Sequence, residues 1–168
     1  LRSYRKGSES EYDLSAVPTD ELRKHMTSTN SSDRILAAKA AAKHFKIDDI
    51  DVLYHYDPKF EADGMMLASG QMTLGDSAFS SWGNLGSTIG HEIEVHWRMQ
   101  YQARRFPGDD QRRAMHEIEA YKYNIGNAAR FGNSVVEIRS FHMRMNEYFN
   151  LLTPANQGLI RSGIYDPY

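Results

Sequence analysis

The chain has 168 residues, 40% hydrophobic and 25% charged, which is ordinary for one soluble globular domain with a single core. Its net charge of −2 and pI near 6.4 leave no electrostatic footprint for nonspecific nucleic-acid binding, and no apolar run approaches the roughly 18 residues of a membrane span. Cysteine is absent, which excludes disulfides, thiolate-ligated zinc and thiol nucleophiles, and removes any redox argument about compartment.

Residues 1–16 are polar and aperiodic, and read as a linker or surface arm preceding a single domain over 17–168. Leu1-Arg2-Ser3-Tyr4-Arg5-Lys6 has basic residues but no apolar h-region, and the missing initiator Met leads us to expect a fragment of a longer polypeptide or a processed one. Pro18-Thr19-Asp20-Glu21 opens a short helix with Thr19 as cap, broken over Thr27 to Asn30. Ser31-Ser32-Asp33 caps a second helix to about Phe45, with Ile35, Leu36, Ala38, Ala42 and Phe45 on its apolar face.

Three strand segments follow. Val52 to Tyr56 has strand composition and ends at Pro58, while Gly64 to Ala68 and Gln71 to Leu74 flank the hairpin signal Ser69-Gly70. We expect a small antiparallel sheet, in which Gln71 to Leu74 is either an edge able to take an extended peptide as a further strand or part of an ordinary core hairpin. Asp76 to Gly86, rich in Ser, Gly and Asn, reads as a loop over the site. A helix then runs from near Asn84 to Ser87 as far as about Ala103. The next is capped by Asp109 or Asp110 and extends to Arg130 with Gly132 as its stop; another opens at Ser134, a last one at Thr153-Pro154, and Ile164 to Tyr168 is a tail. The predicted class is α+β, mainly helical.

The chemistry-bearing stretch is Thr88-Ile89-Gly90-His91-Glu92-Ile93-Glu94-Val95-His96-Trp97, answered downstream by His116-Glu117-Ile118-Glu119-Ala120-Tyr121. A hydrolytic metal centre needs about three protein ligands and one open position, where a water is acidified toward a pKa of roughly 7. Two imidazoles and a carboxylate supply that set. Histidines four apart on an α-helix lie about 40° from each other, whereas five apart they lie about 140° apart and diverge. Joint coordination by His91 and His96 therefore requires a wider turn of the π type; in a regular helix Glu94 could replace His96. Glu117 and Glu119 are about 200° apart, so only one of them can face the ion. His55, His142, Tyr121 and Tyr123 are candidate donors to an oxyanion. There is no Gly-x-Ser-x-Gly elbow and no phosphate-binding Gly-x-x-x-x-Gly-Lys loop, and without Cys the zinc deaminase motif is impossible.

The His-Glu-x-x-x-His spacing with a later Glu-x-x-Ala stretch resembles the site of dipeptidyl peptidase III, a zinc peptidase family that tolerates the extra residue. The resemblance implies Zn²⁺ as cofactor, His91, His96 and Glu117 as ligands and Glu92 as general base. Tyr121 stands where related motifs carry an acidic residue or Asn, and Glu119, Glu94 and Tyr121 remain second choices as ligands or supporting groups. The run from Gly70 to Glu119 is also similar to zincin-like C-terminal toxin domains of bacterial polymorphic proteins, including those of the Rhs type. That implies a zincin-like fold with a sheet beside the site helix, a protein or peptide substrate, and a cognate immunity protein as partner. It further implies secretion, or delivery into a recipient cell. The alternatives are a metal-dependent nuclease or other hydrolase toxin, and a noncatalytic binding domain with structural histidines.

Overall fold

The computed structural model describes residues 12–165; the expected arm over residues 1–11 and the end of the tail lie outside them. From residue 12 the arm is tied to the body. The Tyr12 hydroxyl donates to Asp76 at 3.2 Å, and Asp13 bridges to Ser81 in parallel.

Local caps set the first two helices. Thr19 accepts from the Leu22 N–H at the start of α1 (Asp20–Thr27), whose first turn is acidic and last turn basic, in the sense the helix dipole favours. Asn30 caps α2 (Ser31–His44) by accepting from the Ser32 N–H. The apolar face of α2 is rotated from the expected one: Leu36 is exposed, and Ala37, Ala38, Ala41 and Ala42 are buried with Arg34 among them. Small alanines let α2 approach the core closely. Arg34 is tolerated there because it donates to Asp76 at 2.7 Å, to Ser28 O at 2.6 Å and to Met26 O, and lies over the Phe79 ring.

The sheet is mixed, which corrects the antiparallel expectation. β1 (Leu53–Tyr56) pairs parallel with β3 (Gln71–Leu74), and β2 (Gly64–Met66) pairs antiparallel with β3, in the order β1-β3-β2. Gln71 to Leu74 is thus the centre of the sheet. Met72, Thr73 and Leu74 are all buried, as a strand covered on both faces requires. The free edge next to the site helix belongs to β2, whose Gly64 touches that helix so closely that a Cβ would lie 2.9 Å from Glu92 Cγ and from Thr88 Cγ2.

Asp76 to Gly86 is no loop. A 3-10 turn (Asp76–Ser80) leads to α3 (Trp82–Gly90), capped by Ser81, and every residue of α3 is buried. Its glycines serve close packing: a Cβ at Gly86 would fall 2.3 Å from the Phe45 ring, and one at Gly90 2.8 Å from Phe131 and from the Tyr123 hydroxyl. From Gly90 the chain continues without a break into a π-helix (His91–Tyr101).

Asp109 caps α4 (Asp110–Gly126), which stops four residues earlier than expected. Asn127 interrupts it before the short α5 (Ala128–Phe131), and Gly132 takes the left-handed conformation at φ 66°. Ser134 and Glu137 form a capping box on α6 (Val135–Asn150), and α7 (Pro154–Arg161) begins on Thr153-Pro154. Two apolar clusters result. The larger joins α1, α2, the sheet and α3, with Ile93 from the π-helix; the smaller joins Ala114, Met115, Ile118 and Leu152 to residues of α6 and α7. The site helix and α4 meet at the seam between them. Among the described residues no helix is long and apolar enough to cross a membrane.

Candidate metal centre

The π turn closes the gap that five-residue spacing opens. With i→i+5 bonding the fifth residue returns over the same face, and His91 Nε2 and His96 Nε2 come to 3.1 Å from each other. The wide pattern persists past the helix end, where the Gln102 N–H donates to Trp97 O and the Arg105 N–H to Gln100 O, both at 2.8 Å. From α4, Glu117 presents Oε1 at 3.4 Å from His96 Nε2 and Oε2 at 3.5 Å from His91 Nε2. His91, Glu92 and His96 are all buried, and a donor atom of each lies within 4.8 Å of the others, so this group could hold a metal ion. Glu117 extends it as a fourth candidate donor, with a side chain 23% exposed.

Each imidazole is anchored through its other nitrogen. His96 Nδ1 lies 2.7 Å from Gln100 Oε1, and Gln100 Nε2 donates onward to Glu119 Oε2 at 2.9 Å and to the His116 carbonyl at 3.2 Å. His91 Nδ1 faces the Asn124 amide at 3.2 Å, and Asn124 Oδ1 has no partner. A half-turn of that amide would give the His91 Nδ1–H its acceptor and leave Nε2 as the free lone pair. The Tyr121 ring packs edge-on against His91 with centroids 5.0 Å apart, and Tyr148 of α6 stacks on Tyr121 at 6.1 Å.

Charge and burial oppose each other here. Burial raises Glu92 above the usual carboxylate range, against the pull of His96 and His91, and its Oε2 has no hydrogen-bond partner. Burial pulls the His96 imidazole down, but the charge and hydrogen bond of Glu117 carry it up to about 9. Glu117 is pressed upward by burial too, yet the two imidazoles hold it well below the ordinary carboxylate value. Burial first, and Glu117 second, raise the Tyr121 phenol and push Tyr148 up to about 12, so both stay protonated hydrogen-bond donors at neutral pH. Burial, then the charges of Glu92 and Glu117, also raise Tyr101.

Of the residues singled out from sequence, His91, Glu92, His96 and Glu117 converge, with Tyr121 packed beside them. Glu119 points away into the Gln100 amide and pairs with Arg105 at 3.0 Å. Glu94 is turned out of the cluster by the π register. It pairs with Arg130 at 2.8 Å and accepts from the Tyr123 hydroxyl, which commits Tyr123 elsewhere as well. His55 is exposed on β1, the sheet edge opposite β2, and His142 is exposed on α6, so neither is brought to the cluster. Four groups escaped the sequence reading: Gln100, Asn124, Tyr101 and Tyr148. The first two carried a usable signal, since Gln100 is four residues past His96, and Asn124 falls with Glu117 and Tyr121 on an i, i+4, i+7 stripe of α4.

No protein family, no curated protein and no solved structure matches this chain.

Proposed function

We propose that the chain is a zinc-dependent peptidase with a zincin-like arrangement, His91, His96 and Glu117 being the ligands and Glu92 the general base. The observation that carries this reading is the spacing of the donor atoms. Tetrahedral coordination at roughly 2.0–2.1 Å puts ligand atoms about 3.3 Å apart, and the two Nε2 atoms and the nearest Glu117 oxygens are separated by 3.1, 3.4 and 3.5 Å. A zinc ion held there would supply Lewis acidity to acidify a water and polarise a carbonyl.

The remaining chemistry belongs to the side chains. Glu92 is buried, keeps one unpartnered oxygen and has its affinity for protons raised by that burial; it takes the proton of the attacking water and returns it to the leaving amine. The Tyr121 phenol, whose ring packs on His91 and is backed by Tyr148, is the donor for the carbonyl oxygen as charge develops on it. The substrate is an extended peptide or protein segment that adds to the free edge of β2, the strand in contact with the site helix. The similarity of the Gly70 to Glu119 run to polymorphic toxin domains leads us to place this activity in a toxic effector module, delivered to a recipient cell and neutralised by a cognate immunity protein.

Glu92 is itself close enough to ligate. Were it to do so, no base would remain and the site would be structural. Glu92→Gln separates the two readings. The peptidase reading expects undiminished zinc binding and hydrolysis of a casein-type protein substrate reduced by at least about 10²-fold. Zinc affinity that falls with the substitution, or hydrolysis that survives it, overturns the assignment.

A further inference from the structure

The hydrogen-bond chain behind His96 has a direction that can be read from its members. Gln100 is wholly buried, and its amide contacts three groups: His96 Nδ1 on one side, the His116 carbonyl and the Glu119 carboxylate on the other. The last two only accept. The NH₂ end must therefore face them, and the oxygen must face His96. A reversed amide would set Oε1 against two oxygens within hydrogen-bond distance and deprive each of one donor. With Oε1 fixed toward the ring, the proton of the neutral imidazole sits on Nδ1, and the Nε2 lone pair points into the cluster.

Glu119 is held in turn by Arg105, with contacts of 3.0 and 3.3 Å, and the Arg105 backbone N–H returns to Gln100 O at 2.8 Å. The chain Arg105–Glu119–Gln100–His96 thus ties the loop after the π-helix to a ring at the centre. Gln100 also grips the α4 backbone at His116, one residue before Glu117. One amide restrains a donor on each helix.

We infer that Gln100 is a positioning residue for the metal centre, setting the His96 tautomer and the spacing between His96 and Glu117, and that Glu119 acts through it by locking the amide. This rests on the zinc reading above. It gives Glu119 a task distinct from ligation: the acceptor whose charge decides which end of Gln100 faces the ring.

The test measures zinc affinity of the full chain by competition with a chromophoric chelator, alongside thermal melting of the zinc-free protein. Gln100→Leu is expected to weaken zinc binding by about 10- to 100-fold, the usual effect of losing a group that orients a metal-bound histidine. Glu119→Ala, at a partly exposed position, keeps the Gln100 amide but frees it to turn, and should weaken binding by less; it carries the test if Gln100→Leu does not fold. The exchange Gln100→Glu with Glu119→Gln restores an acceptor for Nδ1–H and a donor behind it, though it sets a carboxylate oxygen against the His116 carbonyl and removes the carboxylate that pairs with Arg105, and is expected to recover part of the lost affinity. A merely structural role would lower the zinc-free melting temperature without this recovery. Wild-type affinity in folded Gln100→Leu, or an exchanged pair that binds no better than the single variant, overturns the inference alone. A wild-type chain without zinc affinity overturns the metal reading with it.

Discussion

At Gly64 a strand and a catalytic candidate compete for the same space. The missing Cβ leaves room for Glu92, whose Cγ and Oε1 would lie 2.9 and 3.0 Å from a methyl group there, and the Met66 N–H on the same strand favours the charged form of that carboxylate. Gly64→Ala should therefore displace Glu92 while leaving both histidines and Glu117 alone. The expected outcome is zinc affinity like that of the wild type with kcat down about 10²-fold, since a misplacement of roughly 1 Å is enough for that. Steady-state kinetics beside a chelator titration checks it, and an unchanged kcat would mean that the Glu92 position does not matter to turnover. Residue identity made His91, Glu92 and His96 legible as candidates in the sequence, because few residue types bind metals, but it left Glu117 and Glu119 open until Glu117 is found facing the histidines and Glu119 facing Gln100. Gln100 and Asn124 were not legible as site residues. An amide is unremarkable on any helix until its tertiary partners are known, and Gly64 signals only a turn or a strand start until Glu92 is placed against it.

Elements were legible where their signals are local. Thr19, Asp109, Ser134 and Thr153-Pro154 announce helix starts through side chains that meet the N–H three residues on. Strand order depends on which faces are covered, and nothing within Gln71 to Leu74 says that β1 returns beside it in parallel. The Ser/Gly-rich run before the site failed as a loop because tertiary packing overrode propensity: each glycine costs a helix about 1 kcal/mol relative to Ala, yet at Gly86 and Gly90 nothing larger fits. The contact between the π-helix and α4 carries a prediction of its own. His96, raised from 6.5 to about 9 by Glu117 against the effect of burial, contributes stability that is complete below pH 6.5 and lost as pH rises through 9. Glu92, raised by burial, also loses its contribution as pH rises, in its case from above 4.5. Glu117 is held low, so its share is present above 4.5 and disappears only at more acid pH. The urea midpoint of the zinc-free protein should therefore fall between pH 6.5 and 9, and fall less in His96→Gln. Equal slopes in the two proteins would sink the pairing. Saturating zinc, which competes with the proton for His96, should reverse the trend.

On the scale of the whole molecule, the donors come from both sides of a seam. His91 and His96 stand on the helix that anchors the larger apolar cluster through Ile89 and Ile93, whereas Glu117 stands on the helix that builds the smaller one through Ala114, Met115 and Ile118. Among the described residues the smaller cluster has four buried members and draws the rest of its packing from partly buried residues of α6 and α7 and from Tyr165, and α6 itself buries only Phe141. Few buried apolar contacts mean a low local opening free energy, so α4, α6 and α7 should open more readily than the core behind α3. An ion shared between the clusters would close that route. Zinc at about 100 times its dissociation constant adds about 2.7 kcal/mol, worth roughly 5–10 °C in melting temperature for a chain of this size. Hydrogen exchange can read both effects segment by segment. In the zinc-free protein, amides of α4 and α6 are expected to exchange faster than those of α2 and β3, which need global unfolding. Equal zinc-free protection would show that the chain opens as one unit. Zinc should then slow both sets by a similar factor, because either opening releases an ion bound across the seam. Slowing that spares α4 would show an ion held by the π-helix alone, with Glu117 outside its coordination.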